Sequence, residues 1–299
     1  MRILIITPFY PPNIGGVETS LYTLAKLLRR KTHEVKVVSY KTINTKLYEL
    51  LEGNKFLQAL HLLPILFVKA LWTKLRYRPD AVHGAGLIGG LIARLISRKC
   101  IITTHCIYSG IYRLGWVERL VFRGATKVLC LTKESMKEIG TPNCVEYKTL
   151  VDWELFKPMP THKIFDSLFI GRPIKKKGID IADKIGAFCV GSVPNEDIPY
   201  YINQAKIVVV PSLYKECFSR VILESLFCDT PVIASKLDVA RNYIPKGVVE
   251  YATPKLKHFR NKIDNFKRKP KGFYRDYAMY HYGPRNLEVF INAYKECSV

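Results

Sequence analysis

The chain has 299 residues, 48% hydrophobic and 24% charged. That balance excludes a disordered chain and fits one large or two modest domains. Lys and Arg number 47 against 25 Asp and Glu, and the formal charge of +22 calls for an anionic partner: nucleotide phosphates, nucleic acid or an acidic membrane surface.

The opening stretch MRILIITPFYPP has too short an apolar run for a signal peptide. Residues 2–7 read as a strand, 8–16 as a turn-rich loop, and 17–30 as a helix with Val17, Leu21, Leu24, Ala25 and Leu28 on one face. A strand at 35–39 completes a β-loop-α-β unit. Gly15 and Gly16 open its helix, where glycines let a ligand approach the backbone and a helix N-terminus favours an anion. The pair is not the G-x-G-x-x-G dinucleotide fingerprint. Residues 46–78 carry an apolar run broken by Gln58, His61, Pro64 and Lys69. A spanning helix needs ~20 mostly apolar residues, so two readings stay open here. One is a buried pair of core helices with basic ends; the other is docking on an anionic membrane surface.

Strands at 80–83 and 101–105 each end in a histidine, and 87–96 is a helix between them. Strand C-termini are where open α/β sheets bind ligands. His105 stands at such a strand end, whereas His83 reads equally well as a satisfied core residue. Helix 116–125, strand 127–131 and helix 133–139 follow. The eight cysteines show no C-x-x-C pair and no zinc-site spacing, so free thiols in a reducing cytosol are expected.

In the second half, strand 167–170 leads into Gly171-Arg172-Pro173-Ile174-Lys175-Lys176-Lys177-Gly178. Arg172 and Lys177 can reach the same phosphates, Arg as a planar fork and Lys as a mobile point charge; Lys175 and Lys176 read as surface. Residues 207–235 read as strand, loop, helix, turn and strand, with Ser219 as expected N-cap. Glu216 and Glu224 can together accept hydrogen bonds from vicinal hydroxyls, as on a sugar or a ribose. The amides of Ser219, Arg220 and Val221 stand at a helix N-terminus, an anion site. Polyol acceptors beside phosphate donors suit a nucleotide sugar. Residues 246–275 are basic, interleaved with Tyr251, Phe259, Phe266, Phe273 and Tyr274, and read as a solvated face or a surface for anionic lipid or nucleic acid. Residues 284–294 form a last helix.

The E-x7-E block at Glu216 and Glu224, the C-x-T-P-V-I-A-S run at 228–235, the G-R-x-x-x-x-K-G loop and the P-x-x-G-G-V-E stretch at 12–18 together resemble the retaining glycosyltransferases of family 4. The resemblance implies an α/β GT-B fold: two Rossmann-like domains facing across a cleft, the C-terminal one reduced. Residues 1–155 would form the acceptor domain, 156–275 the nucleotide-sugar domain, and 276–299 a helix crossing back. The segment from Leu150 to Pro158 resembles the family's hinge, with Thr149 and Leu150 where Asn and Gly are usual. Two further departures are Cys106 for an Asp after His105, and Asp229 for a Gly. Residues 178–191 are also shorter than usual.

By the same resemblance, His105, Glu216, Arg172 and Lys177 are catalytic. Glu224 holds the ribose, Glu216 and His105 the transferred sugar, and Gly15 and Gly16 the floor beneath it. Val193, in a segment whose backbone meets the base, and Phe218, Ser219, Arg220 and Val221 complete the donor set. The implied reaction is hexose transfer from a UDP- or GDP-type donor by same-face displacement, without cofactor or metal. The acceptor would be lipid-linked, glycan or protein, and the location cytoplasmic or peripheral on the inner face of a membrane. Nucleic acid ranks below these partners. The alternatives are a catalytically inert basic protein of this fold, binding nucleic acid or anionic membrane, and a sugar-nucleotide epimerase.

Overall fold

The computed structural model describes residues 1–11, 15–40, 55–104, 115–191 and 193–298. They divide into two compact units, Met1–Leu150 with Arg285–Val299, and Val151–Pro284.

The first unit is built on a parallel sheet of six strands: β1 (Arg2–Ile6), β2 (Glu34–Val38), β3 (Ala81–Ala85), β4 (Ile101–Thr104), β5 (Lys127–Cys130) and β6 (Cys144–Glu146). Their order is β2-β1-β3-β4-β5-β6. Ile3 to Ile6 are fully buried, because a parallel strand covered on both faces needs apolar side chains at consecutive positions. The helices are α1 (Gly16–Arg30), α2 (Lys55–Tyr77), α3 (Gly86–Ile96), α4 (Gly115–Arg123) and α5 (Lys133–Ile139). Leu66 and Ala70 of α2, Ile92 and Ala93 of α3, Val121 and Phe122 of α4 and Ile139 of α5 form one core with Leu4, Ile6, Val82, Ile102 and Val128. Helices α2 to α5 therefore share one face of the sheet. Right-handed crossovers put α1 on the other, since β1 to β2 steps in the opposite direction. Local signals set the ends: Thr132 accepts the Ser135 N–H at 3.1 Å before α5, and Gly140 closes that helix in the left-handed region at φ 62°.

The second unit contains β7 (Phe165–Ile170), α6 (Ile179–Lys184), β8 (Phe188–Val190), α7 (Ile198–Gln204), β9 (Ala205–Val210), α8 (Arg220–Phe227), β10 (Val232–Ser235), β11 (Val249–Ala252), α9 (Leu256–Asp264) and α10 (Phe273–Tyr282). Its parallel sheet of five strands runs β11-β10-β9-β7-β8. Ile202 of α7, Ile222 and Leu226 of α8 and Tyr274 of α10 cover one face through Leu168, Val208 and Val232. Ala182 of α6 and Phe259 of α9 cover the other through Phe169, Val209 and Ile233.

Two details of the second unit bear on its basic segment and its end. Of the aromatics within 246–275, Phe273 is exposed and the others face inward. Phe259 and Tyr274 are buried, and Tyr251 and Phe266 pack against the core, so β11, α9 and α10 turn them inward. Lys255, Lys257, Arg260, Lys267, Lys269 and Lys271 stay outside. The second unit also continues past residue 275, because α10 is fastened to it. The Asp229 carboxylate accepts the backbone N–H groups of Gly272 (2.8 Å), Tyr274 (3.1 Å) and Arg275 (3.4 Å). The Arg275 guanidinium donates to the carbonyls of Trp153, Phe156 and Phe227 at 3.3, 3.0 and 2.6 Å.

The last helix, α11 (Arg285–Cys297), belongs to the first unit and packs on α1, β3 and β4. Its Tyr294 hydroxyl meets Nδ1 of His83 at 2.9 Å, while Nε2 of that ring meets the Thr103 hydroxyl at 3.0 Å. His83 is thus a satisfied core residue. The seven described cysteines are all free thiols.

Candidate functional site

In the second sheet, β8 lies on one side of β7 and β9 on the other, so the strand order reverses between β7 and β9. The crevice outside the carboxyl ends of two such strands is where open α/β sheets take ligands. The basic loop 171–178 leaves β7, and residues 211–219 leave β9. The Leu213 N–H donates to the Lys176 carbonyl at 2.9 Å and ties the two loops together. Gly178 completes the join. It has φ +80°, and any side chain there would run into the Pro211 carbonyl.

Lys177 and Glu216 meet across this join, Nζ to Oε1 at 2.6 Å. The Ser212 hydroxyl donates to the same oxygen at 2.8 Å, and the Tyr214 hydroxyl to Oε2 at 2.8 Å. An ionised carboxylate has about four acceptor positions; with these three donors seated, Oε2 keeps room for one more. The Glu216 side chain is 10% exposed and that of Lys177 23%, so the cation is the more accessible partner. Arg172, at the start of the same loop, is exposed, as are Lys175 and Lys176.

Helix α8 positions the second acid. Ile222, Leu223, Leu226 and Phe227 are buried. Glu224 is itself only 3% exposed and accepts from Arg220 Nε one turn earlier, at 3.2 Å. Burial raises the Glu224 pKa, and the Arg220 charge and hydrogen bond oppose that rise. Phe218 is half-buried between the rings of Tyr243 and Tyr282, at 6.2 and 6.0 Å between centroids. Val193 packs against the same core, and Val221 sits in the first turn of α8.

Ser219 departs from expectation. Its hydroxyl does not cap α8, and its N–H is directed at the Asp238 carboxylate, 3.2 and 3.4 Å from the two oxygens. An anion at this helix start would find that amide already engaged. Asp238 is fully buried and also accepts the Ala240 N–H at 2.8 Å. The next residue, Val239, donates its N–H to the Glu216 carbonyl at 3.1 Å. Asp238 therefore pins the segment from Glu216 to Ser219 from below. It belongs to no spacing motif; a polar residue just past the end of strand 232–235 was its one sequence signal.

Burial pushes the Asp238 carboxyl up to about 7, against the Ala240 amide; the Glu216 carboxylate adds to the rise, and the Ser219 amide and Lys177 oppose it. An unfolded Asp ionises near 3.8, so the folded protein holds this proton over a range where the unfolded chain has lost it. The resulting stabilisation is complete below about pH 4 and is lost as pH rises through about 7. Asp238→Asn removes this dependence. Its melting temperature relative to the parent is expected to improve from pH 5 to about pH 7 and to level off above that, as measured by thermal denaturation from pH 5 to pH 9.

In the first unit, Gly15 is the N-cap of α1 with extended backbone, φ −176°. The Glu18 carboxylate lies where a Gly15 side chain would project. A side chain there would have to displace only the flexible end of Glu18. His105 and Cys106 lie outside the described residues. Among the described residues, no group of three or more His, Cys, Asp or Glu side chains is placed to hold a metal ion.

Comparison with known proteins agrees with this architecture. Residues 14–142 match the model of Glycosyltransferase Family 4, and residues 172–281 that of Glycosyl transferases group 1. The chain is 22% identical to a subunit of the phosphatidylinositol N-acetylglucosaminyltransferase of Arabidopsis thaliana, over 85% of this chain and 71% of that protein. Among solved structures it resembles Anabaena HepE in complex with UDP and glucose, with a TM-score of 0.70 and 17% identity over 98% of both chains. It also resembles a glycosyltransferase from Rickettsia africae, with a TM-score of 0.73 and 15% identity over 99% and 98% of the two chains. Two parallel Rossmann-like sheets, the paired motifs on the second and the two family matches together make this chain a GT-B glycosyltransferase of the family 4 type.

Proposed function

We propose that the chain moves a hexose from a nucleoside-diphosphate sugar, of UDP type in the first place, with retention of anomeric configuration and without a divalent ion. The observation that carries the reading is the Lys177–Glu216 pair at the turning point of the second sheet. UDP is favoured over GDP because the structural relative HepE was solved with UDP and glucose.

When the sugar leaves, negative charge builds on the β-phosphate. Lys177 supplies a point charge and Arg172 a fork for its oxygens, and preorganised charge of this kind is the strongest stabiliser of a developing anion. Glu216 holds Lys177 at 2.6 Å and offers its remaining acceptor position to a sugar hydroxyl. Glu224, with Oε1 on Arg220, keeps its second oxygen for the ribose. His105 is assigned to the transferred sugar by resemblance alone. Because side chains of this protein provide the positive charge, chelation of divalent ions is expected to leave the rate unchanged. The first unit is assigned the acceptor, which is lipid-linked, glycan or protein, and the enzyme is read as working from the cytoplasm at the inner face of a membrane.

The test is hydrolysis of a panel of UDP-glucose, UDP-galactose, UDP-N-acetylglucosamine and GDP-mannose, with and without chelator, since it needs no acceptor. Turnover of a UDP-sugar, product of unchanged anomeric configuration by NMR and indifference to chelator are expected. UDP alone at about 100-fold its Kd should stabilise the fold by about 2.7 kcal/mol. No turnover together with no thermal shift for any nucleotide overturns the reading.

A further inference from the structure

We propose that the outer face of the α2–α3–α4 layer is a docking surface for an anionic lipid bilayer. The proposal gives the peripheral location stated above a specific surface, and it draws on no residue of the donor site.

Helix α2 is apolar on both sides. Leu66, Ala70 and Tyr77 face the core, yet Ile65, Val68, Trp72 and Leu75 on the opposite side are 37, 63, 55 and 66% exposed. A helix apolar all round is normally buried all round. The neighbouring helices continue the pattern, with Leu95 of α3 65% exposed and Trp116 and Leu120 of α4 69 and 68% exposed. These residues lie on adjoining helices. Lys74 Nζ of α2 donates to the Ile96 carbonyl at the end of α3. The Arg94 guanidinium of α3 lies over Gly124, just past α4. The C-terminal ends of the three helices therefore lie together, and the exposed apolar side chains belong to one layer of the unit. Large apolar side chains exposed together on one layer mark an interaction site.

Charge identifies the occupant. Arg76, Arg78, Arg98, Lys99, Arg119 and Arg123 are exposed at or just beyond the ends of these helices. The helices contain one acidic residue, Glu118, and it is buried. Trp72 carries the Arg76 guanidinium 5.0 Å from its ring centre. Tryptophan beside Arg, leucine below and no acid on the face is the composition of a surface that sits at the headgroup level of a bilayer. A second copy of the chain fits badly, because a two-fold contact would bring the same cations face to face. No helix of the described residues is long and apolar enough to cross a membrane, so the contact is interfacial.

The test is co-sedimentation of the full chain with phosphatidylcholine vesicles, with and without phosphatidylglycerol, at rising salt. Binding is expected with phosphatidylglycerol and is expected to weaken with salt. The triple variant Trp72→Ser/Leu75→Ser/Trp116→Ser should lose more than about tenfold in vesicle affinity, and Arg119→Glu/Arg123→Glu a comparable amount. Both should keep the UDP thermal shift of the parent, which separates lost docking from lost folding. If the triple variant binds as well as the parent, the basic surface of residues 255–271 carries the contact and the proposal falls. Absence of binding by the parent, or a dimer that the triple variant abolishes, also overturns it. None of these results bears on the donor site, whose own failure is the absent UDP shift.

Discussion

Lys177→Ala is expected to lower kcat about 100- to 1000-fold on the UDP-sugar the enzyme accepts, with a far smaller effect on stability. Removing one preorganised group that faces developing charge costs this much in other enzymes. Lys177 is partly exposed, so its loss opens no cavity, and Glu216 retains the Ser212 and Tyr214 hydroxyls. Glu216→Gln divides the role further. The amide keeps the shape of the acid but leaves Lys177 without its anion, so the ammonium loses the partner that fixes its position. About a tenfold loss in kcat is expected, less than for the lysine itself, because the charge is still present. Lys177→Arg should restore little, since a planar fork cannot replace a compact ammonium at 2.6 Å from one oxygen. Single-turnover hydrolysis reads the chemical step. Equal rates in Lys177→Ala and parent would remove this pair from the catalytic account.

That pair was legible because its two halves sit in loops leaving neighbouring strands, each marked by residue type and spacing. The sheet that brings them together follows from apolar runs such as 207–210, which only a doubly covered parallel strand explains. The ends of the first-unit elements were likewise close to where caps and glycines put them. The chain from 246 to 282 was not legible. Its lysines and arginines swamp the periodicity of Phe259, Tyr274 and Ala278, which are the residues the core takes. Asp238 was hidden for a different reason. Its partners are backbone amides of residues before and after it, and amides leave no mark in a sequence. The apolar run in α2 posed a choice between core and membrane surface that spacing alone left open; the exposures of Trp72 and Leu75 show that one helix serves the core on one side and is uncovered on the other.

Asp229 shows how a departure from a family pattern becomes a structural device. A glycine at a helix C-terminus is suited to the left-handed region. Asp229 adopts that region too, at φ +55°, at a cost of about 1 kcal/mol relative to glycine. In return, its buried carboxylate reaches three amides at the start of α10, where orphan N–H groups and the helix dipole both favour an anion. The same backbone is held from outside, as Arg268 donates to the Asp229 carbonyl at 3.0 Å. Asp229→Ala loses the cap and keeps the strain, and about 3 kcal/mol of destabilisation is expected. Asp229→Gly loses the cap but relieves the strain, and should cost about 2 kcal/mol. Asp229→Asn keeps an acceptor and tolerates the conformation, and should cost about 1 kcal/mol. The expected order of melting temperatures is Asp, Asn, Gly, Ala, with the Ala variant about 6 to 12 °C below the parent. A Gly variant as stable as the parent would mean that the carboxylate contributes nothing beyond what glycine supplies by conformation, and that α10 is held by Arg275 and the packing of Tyr274 alone.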